Sequence, residues 1–149
     1  MFGLQVKYLS IFFGLISVLS FFNIIYSFYL NLYLILDTYY ISLILSLIIA
    51  IIFYKINIHE KKPNIFEKIL TVFFGYISIP TILAIPFYLS IYNLTFLNSY
   101  FESISGFTST GFTIFENIKH IDQSLILWRS STQWIGGLYF LFSIIFLID

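Results

Sequence analysis

From Tyr8 to Leu36 the chain carries no charged residue, and this unbroken apolar run limits the possible folds more than any other feature of the sequence. A helix needs only about 20 predominantly apolar residues to cross a hydrocarbon core of roughly 30 Å. Three further long apolar segments follow at about residues 39–54, 66–92 and 124–148. Hydrophobic residues make up 60% of the 149 and charged residues 9%, with a mean hydropathy of +0.97, so a soluble domain could not enclose this much apolar surface. The bilayer is the solvent. In lipid every backbone polar group must be satisfied internally, and long apolar runs do this as helices, so the expected fold class is an all-α integral membrane protein.

The charges that remain exclude some functions and orient the chain. Formal net charge is zero, which leaves no basic field for nucleic acid, and cysteine is absent, which removes disulfides, thiolate metal sites and thiol catalysis. Lys7 precedes the first span, and Lys55, Lys61, Lys62 and Lys68 cluster between the second and third. Cations in short loops stay on the cytoplasmic side, so the N-terminus is expected inside, the turn at Asp37 outside, and residues 93–123 on the outer face. The apolar stretch after Lys7 runs on without a small-residue cleavage site, and it reads as a retained span rather than a signal peptide.

Pro63 and Asn64 close the basic loop ahead of the third span. Within that span Pro80 and Pro86 each remove a backbone donor, freeing the carbonyls of Tyr76 and Ile82 and bending the helix. Asn23 and Asn31, the polar interruptions of the first run, are expected to bond a neighbouring helix.

The chemistry is concentrated in Phe101-Glu102-Ser103-Ile104-Ser105-Gly106-Phe107-Thr108-Ser109-Thr110-Gly111-Phe112-Thr113. This stretch follows a short apolar segment at about 95–106, too short to span and therefore interfacial or re-entrant. Taken alone, a Ser-Thr-Gly run is an ordinary surface loop. Between a non-spanning helix and a returning span it reads differently, because such backbone persists at membrane depth only where protein wraps it or water lines it. Carbonyl oxygens can replace the hydration shell of K⁺, and Gly111, lacking Cβ, can adopt positive φ and allow close approach to an axis. Thr108, Ser109, Thr110 and Thr113 add hydroxyls, and the carboxyl end of the preceding helix directs partial negative charge toward a cation.

In the last span Arg129, Thr132, Gln133, Gly136 and Gly137 fall on one helical face, a small and polar stripe that must meet protein or water. Arg129 has two destinations, the outer interface or an ion pair with Glu102. Glu102 also fits a capping box as Ser99-x-x-Glu102. His120, Asp122 and Ser124 are hydrolase residue types, but their alternate spacing on one short segment is wrong for a proton relay, and Asp122 reads as a helix N-cap. No enzyme activity is expected.

Phe101-Glu102-Ser103, then Ser105-Gly106-Phe107-Thr108-x-Thr110-Gly111, then Trp128-Arg129-x-x-x-Gln133-Trp134-x-Gly136-Gly137 together resemble the first pore repeat of the TrkH/KtrB superfamily of potassium transporters. The resemblance covers about residues 62–148. It implies an N-terminal transmembrane helix pair over 1–58, a cytoplasmic loop over 59–65 and one helix-pore loop-helix repeat over 66–149. Within that repeat it implies an outer helix at 66–92, a pore helix at 95–106, a filter at 107–113 and an inner helix at 124–148.

By the same resemblance, Thr108, Ser109, Thr110 and Gly111 form the K⁺ filter, with Glu102, Gly106, Arg129, Gln133, Gly136 and Gly137 as structural residues. The family surrounds one K⁺ path with four such repeats, pairs two chains in a dimer, and docks a cytoplasmic nucleotide-binding regulatory subunit. Implied here are Trk-type K⁺ uptake in a bacterial inner membrane, K⁺ as the transported ion without a cofactor, and partnership with the remaining pore repeats or further copies of the chain. Two departures stand out: Ser109 and Phe112 replace the usual Thr and small residue, and the chain stops after one repeat, truncated relative to the family. The alternative is a non-conducting truncated or split membrane subunit that acts only in assembly.

Overall fold

The computed structural model describes residues 5–56, 63–117 and 121–148. Lys61 and Lys62 of the basic loop, and His120, lie outside the described residues. The described residues fold into six helices and no strand: α1 Val6–Tyr29, α2 Leu36–Lys55, α3 Ile65–Leu83, α4 Ile85–Tyr88, α5 Phe96–Phe107 and α6 Gln123–Ile148. The all-α membrane class is what the chain adopts: α1, α2, α3 with α4, and α6 are long and apolar enough to cross a bilayer, whereas α5 is not.

The first apolar run stops being helical earlier than its composition suggests. Asn31 takes the left-handed conformation with φ 58°, the Leu32 N–H donates to Ser27 O at 2.8 Å, and the Asn31 N–H donates to Phe28 O at 3.3 Å. That pairing is a Schellman cap, with Asn in the position usually held by Gly. The turn therefore lies at 30–35, and Asp37 sits inside the first turn of α2 rather than at the turn itself. Asn31 does not reach a neighbouring helix; its Oδ1 accepts from Tyr33 Oη at 3.0 Å. Asn23 is also corrected, since its Nδ2 donates to Leu19 O one turn back in its own helix. Both amides thus pair locally, and the Asn23 Oδ1 is left buried without a partner among the described residues.

α1 packs most extensively on α2. On α2 the buried positions Ser42, Ser46 and Ala50 recur every fourth residue, and on α1 Ser17, Ser20 and Ser27 are buried. Small residues let helix backbones approach where lipid supplies no hydrophobic drive between helices. Most of these hydroxyls return to their own helix, as Ser17 does to Gly14 O at 2.7 Å and Ser20 to Ile16 O at 2.9 Å. That keeps them satisfied in lipid.

The third span bends at its prolines, as expected, with a short break in the helix: α3 ends at Leu83, Pro86 sits at the second residue of α4, and Ala84 between them keeps helical backbone, donating to Pro80 O and accepting from the Tyr88 N–H, each at 2.9 Å. Carbonyls near the break are taken by side chains from other elements. Trp128 of α6 donates its indole N–H to Leu83 O at 3.0 Å, and Ser103 of α5 donates to Pro80 O at 2.7 Å. The break thus joins the outer span to both elements that frame the Thr-Gly loop. Beneath it, Tyr139 of α6 donates to Val72 O at 2.9 Å and lies so close to Gly75 that a Cβ there would fall 1.8 Å from its hydroxyl.

Candidate functional site

α5 begins at Thr95, whose hydroxyl accepts from the Asn98 N–H at 3.3 Å. The capping box expected from Ser99 and Glu102 does not form. Ser99 lies a full turn inside the helix and donates to Thr95 O at 3.0 Å, which leaves Glu102 free for a different task.

The carboxyl end of α5 is closed by a second Schellman cap. Thr110 N–H donates to Ser105 O at 3.0 Å and Ser109 N–H to Gly106 O at 2.9 Å, with Ser109 left-handed at φ 56°. Gly111 follows at φ 81°, the one glycine with positive φ among the described residues. Among the described non-glycine residues only Asn31, Asn93 and Ser109 hold positive φ, so left-handed backbone at 109 and 111 flanks an ordinary residue at 110. Thr108 through Phe112 are exposed on the surface of this chain. The Thr108 hydroxyl donates back to Ile104 O at 2.8 Å and touches the Thr110 hydroxyl. No donor among the described residues reaches the carbonyls of Thr108, Ser109 and Thr110.

Behind the loop lies a buried ion pair. Glu102 is 0% exposed, and its Oε1 stands 3.0 Å from Arg129 Nη1. Of the two destinations open to Arg129, the ion pair is the one observed. The carboxylate also accepts from the Thr113 hydroxyl at 3.1 Å and from the Ile114 N–H at 3.1 Å. Arg129 Nη2 donates to Phe112 O at 3.1 Å and approaches Gly111 O at 3.4 Å, while Ser105 Oγ donates to Phe112 O at 2.7 Å.

α5 rests on α6 through two glycines. A Cβ on Gly136 would lie 1.7 Å from Phe107 O, and a Cβ on Gly106 would lie 2.1 Å from Thr132 Oγ1. At Gly136 the obstacle is backbone, so no side chain fits at the present spacing, whereas a side chain at Gly106 would require the Thr132 hydroxyl to turn away. The five-residue stripe on α6 is therefore split by the structure. Thr132 and Gly136 are buried against α5, whereas Gln133 and Gly137 are exposed. Gly137 and Phe140 border a shallow cavity of about 270 Å³ shared with Thr108 and Ser109, so the loop and this side of α6 look out on the same open face.

Ser103, Ser105 and Trp128 stand within the sequence motifs, but their spacing does not reveal the carbonyls they bond, and Tyr139 lies outside the motifs altogether. Single buried serines and aromatics in apolar helices carry no spacing signal, and only the fold reveals which carbonyl each one meets. Asp122 caps α6 as expected, accepting from the Ser124 N–H at 2.8 Å, and the Ser124 hydroxyl also accepts from Tyr39 Oη at 3.0 Å.

Several curated proteins carry similar sequence. An uncharacterised cation transporter of Methanocaldococcus jannaschii is 44% identical over 54 residues, which is 36% of this chain and 11% of that protein. The Trk system potassium uptake protein TrkI of Halomonas elongata is 36% identical over 64 residues, 43% of this chain and 13% of its own. TrkG of Escherichia coli, another potassium uptake protein, is 39% identical over 46 residues, 31% of this chain and 10% of its own. Over part of its length this chain is similar to the Trk potassium uptake proteins. The Trk-related chain spans about an eighth or less of the length of those proteins. No family model and no solved structure matches it. With its four spanning helices and Trk relatives, it is a multi-pass membrane protein.

Proposed function

We propose that this chain supplies one helix-pore loop-helix unit of a Trk-type K⁺ uptake pore, with Thr108, Ser109, Thr110 and Gly111 as one strand of its selectivity filter. The observation that carries the proposal is the exposed loop segment at the end of a non-spanning helix, its carbonyls at 108–110 met by no donor among the described residues and its backbone left-handed at 109 and 111. A dehydrating K⁺ needs several oxygens directed at one point, and further strands from other repeats or other copies of the chain would complete the shell. The carboxyl end of α5 adds partial negative charge at the same place, which favours a cation without a charged side chain. Gln133, Gly137 and Phe140 then face the neighbouring repeats rather than lipid.

In this reading Lys7, Lys55 and Lys68 lie on the cytoplasmic side of a bacterial inner membrane, with the Thr-Gly loop approached from outside. A second chain and a nucleotide-binding cytoplasmic regulator belong to the same proposal by kinship with Trk systems.

The test is Gly111→Ser, assayed as K⁺ against Na⁺ uptake in the native membrane assembly. No atom lies within 4 Å of a Cβ at Gly111, so the substitution clashes with nothing in the chain. It does force a side chain onto left-handed backbone, which costs about 1–2 kcal/mol and is relieved by moving the strand. The expected result is weakened K⁺ preference with normal membrane abundance. Unchanged preference contradicts the filter assignment and leaves a subunit that serves assembly alone.

A further inference from the structure

Each residue from Gly111 to Ile114 is tied to one ion pair, while the three residues before them are not. The guanidinium of Arg129 uses its two terminal nitrogens for different partners, Nη1 for Glu102 and Nη2 for the carbonyls of Phe112 and Gly111. The Phe112 carbonyl is held twice, by Arg129 at 3.1 Å and by Ser105 Oγ at 2.7 Å. Gly111 O has only the longer 3.4 Å approach. Glu102 completes the tether through Thr113 and the Ile114 N–H.

We infer that the Glu102–Arg129 pair is a positioning device for ion selectivity, which withdraws the Phe112 carbonyl from the conduction path and so ends the ladder of coordinating oxygens at Gly111. The inference rests on the filter reading above. Two physical arguments support it. A carbonyl engaged by two donors has little lone-pair density to offer an ion, and a fixed guanidinium behind it repels a second cation at that point. A buried ion pair also adds little net stability compared with apolar packing of the same volume, so stability alone does not account for placing one against the loop. Arginine suits the geometry, because its planar fork holds a carboxylate and a peptide oxygen on separate nitrogens, whereas lysine gathers its donors on one nitrogen and spans the two partners poorly.

The decisive variant is Arg129→Lys, which keeps the charge opposite Glu102 and gives up the bridge to Phe112. K⁺ and Na⁺ uptake are measured side by side in the native membrane assembly, normalised to the amount of protein in the membrane. K⁺ preference is expected to fall about tenfold while total cation uptake persists, as loss of one charge-assisted hydrogen bond at a selectivity-setting position would give. A pair that merely holds helices together predicts the opposite pattern, lower uptake with preference unchanged, and that result overturns the inference.

If the lysine variant fails to accumulate, Thr113→Val removes a single tether to Glu102 and is expected to shift preference in the same direction by a smaller factor; an unchanged ratio there overturns the inference equally. Gly111→Ser in the same assay separates the two levels. Loss of preference in Gly111→Ser but not in the tether variants removes this inference alone, and retention in all of them removes the filter reading as well.

Discussion

Gly136 and Gly137 are adjacent and chemically identical, yet the structure gives them opposite roles. A methyl group on Gly136 would overlap the Phe107 carbonyl, while one on Gly137 would meet nothing within 4 Å. Gly136→Ala is therefore expected to destabilise the protein by about 1–3 kcal/mol, the usual cost of overpacking, read as a lowered melting temperature in detergent. Gly137→Ala should stay within about 0.5 kcal/mol of the parent in the same measurement. Helical periodicity had grouped the two on one stripe with Arg129, Thr132 and Gln133. A period of 3.6 residues identifies a face, but not where along its width the neighbouring helix ends. Glu102 shows a different limit. Its spacing from Ser99 imitates a capping box, and only the position of Thr95, one turn earlier, shows that the helix has already begun.

Among the elements, the break between α3 and α4 does the most to fix the loop's surroundings. Pro86 announces a disturbance in the sequence, but a proline does not say which donors will repair it. The Leu83 carbonyl is met from α6 by the Trp128 indole, while Ser103 of α5 adds a second donor to Pro80 O, which the Ala84 N–H already reaches. Trp128→Phe keeps the ring and removes the N–H, leaving the Leu83 carbonyl buried without that donor. A loss of about 1–3 kcal/mol is expected from thermal unfolding in detergent. Unaltered stability would mean that another group takes over at the break. The short α5 was recognisable from length alone, because it is too short to cross a bilayer. The end of α1 was not, since one asparagine in left-handed conformation terminates a helix whose apolar composition continues past it.

On the scale of the molecule, membrane residence follows from composition, since no other solvent accommodates four such helices. The open face does not follow from composition. It emerges once α5 is seen to pack on α6 through Gly106 and Gly136, which leaves Thr108–Phe112, Gln133 and Gly137 exposed together. An exposed polar loop beside a membrane-spanning helix needs partners, and under the pore proposal these are further repeats or copies of the chain around one ion path. The most direct test is anomalous scattering from Tl⁺, a heavy substitute for K⁺, in crystals of the native assembly. The peptide oxygens of Thr108 to Gly111 should border an anomalous peak within the span of the bilayer, with the Phe112 oxygen turned away from it. A loop lying in bulk water, with no peak beside these oxygens, would contradict the account.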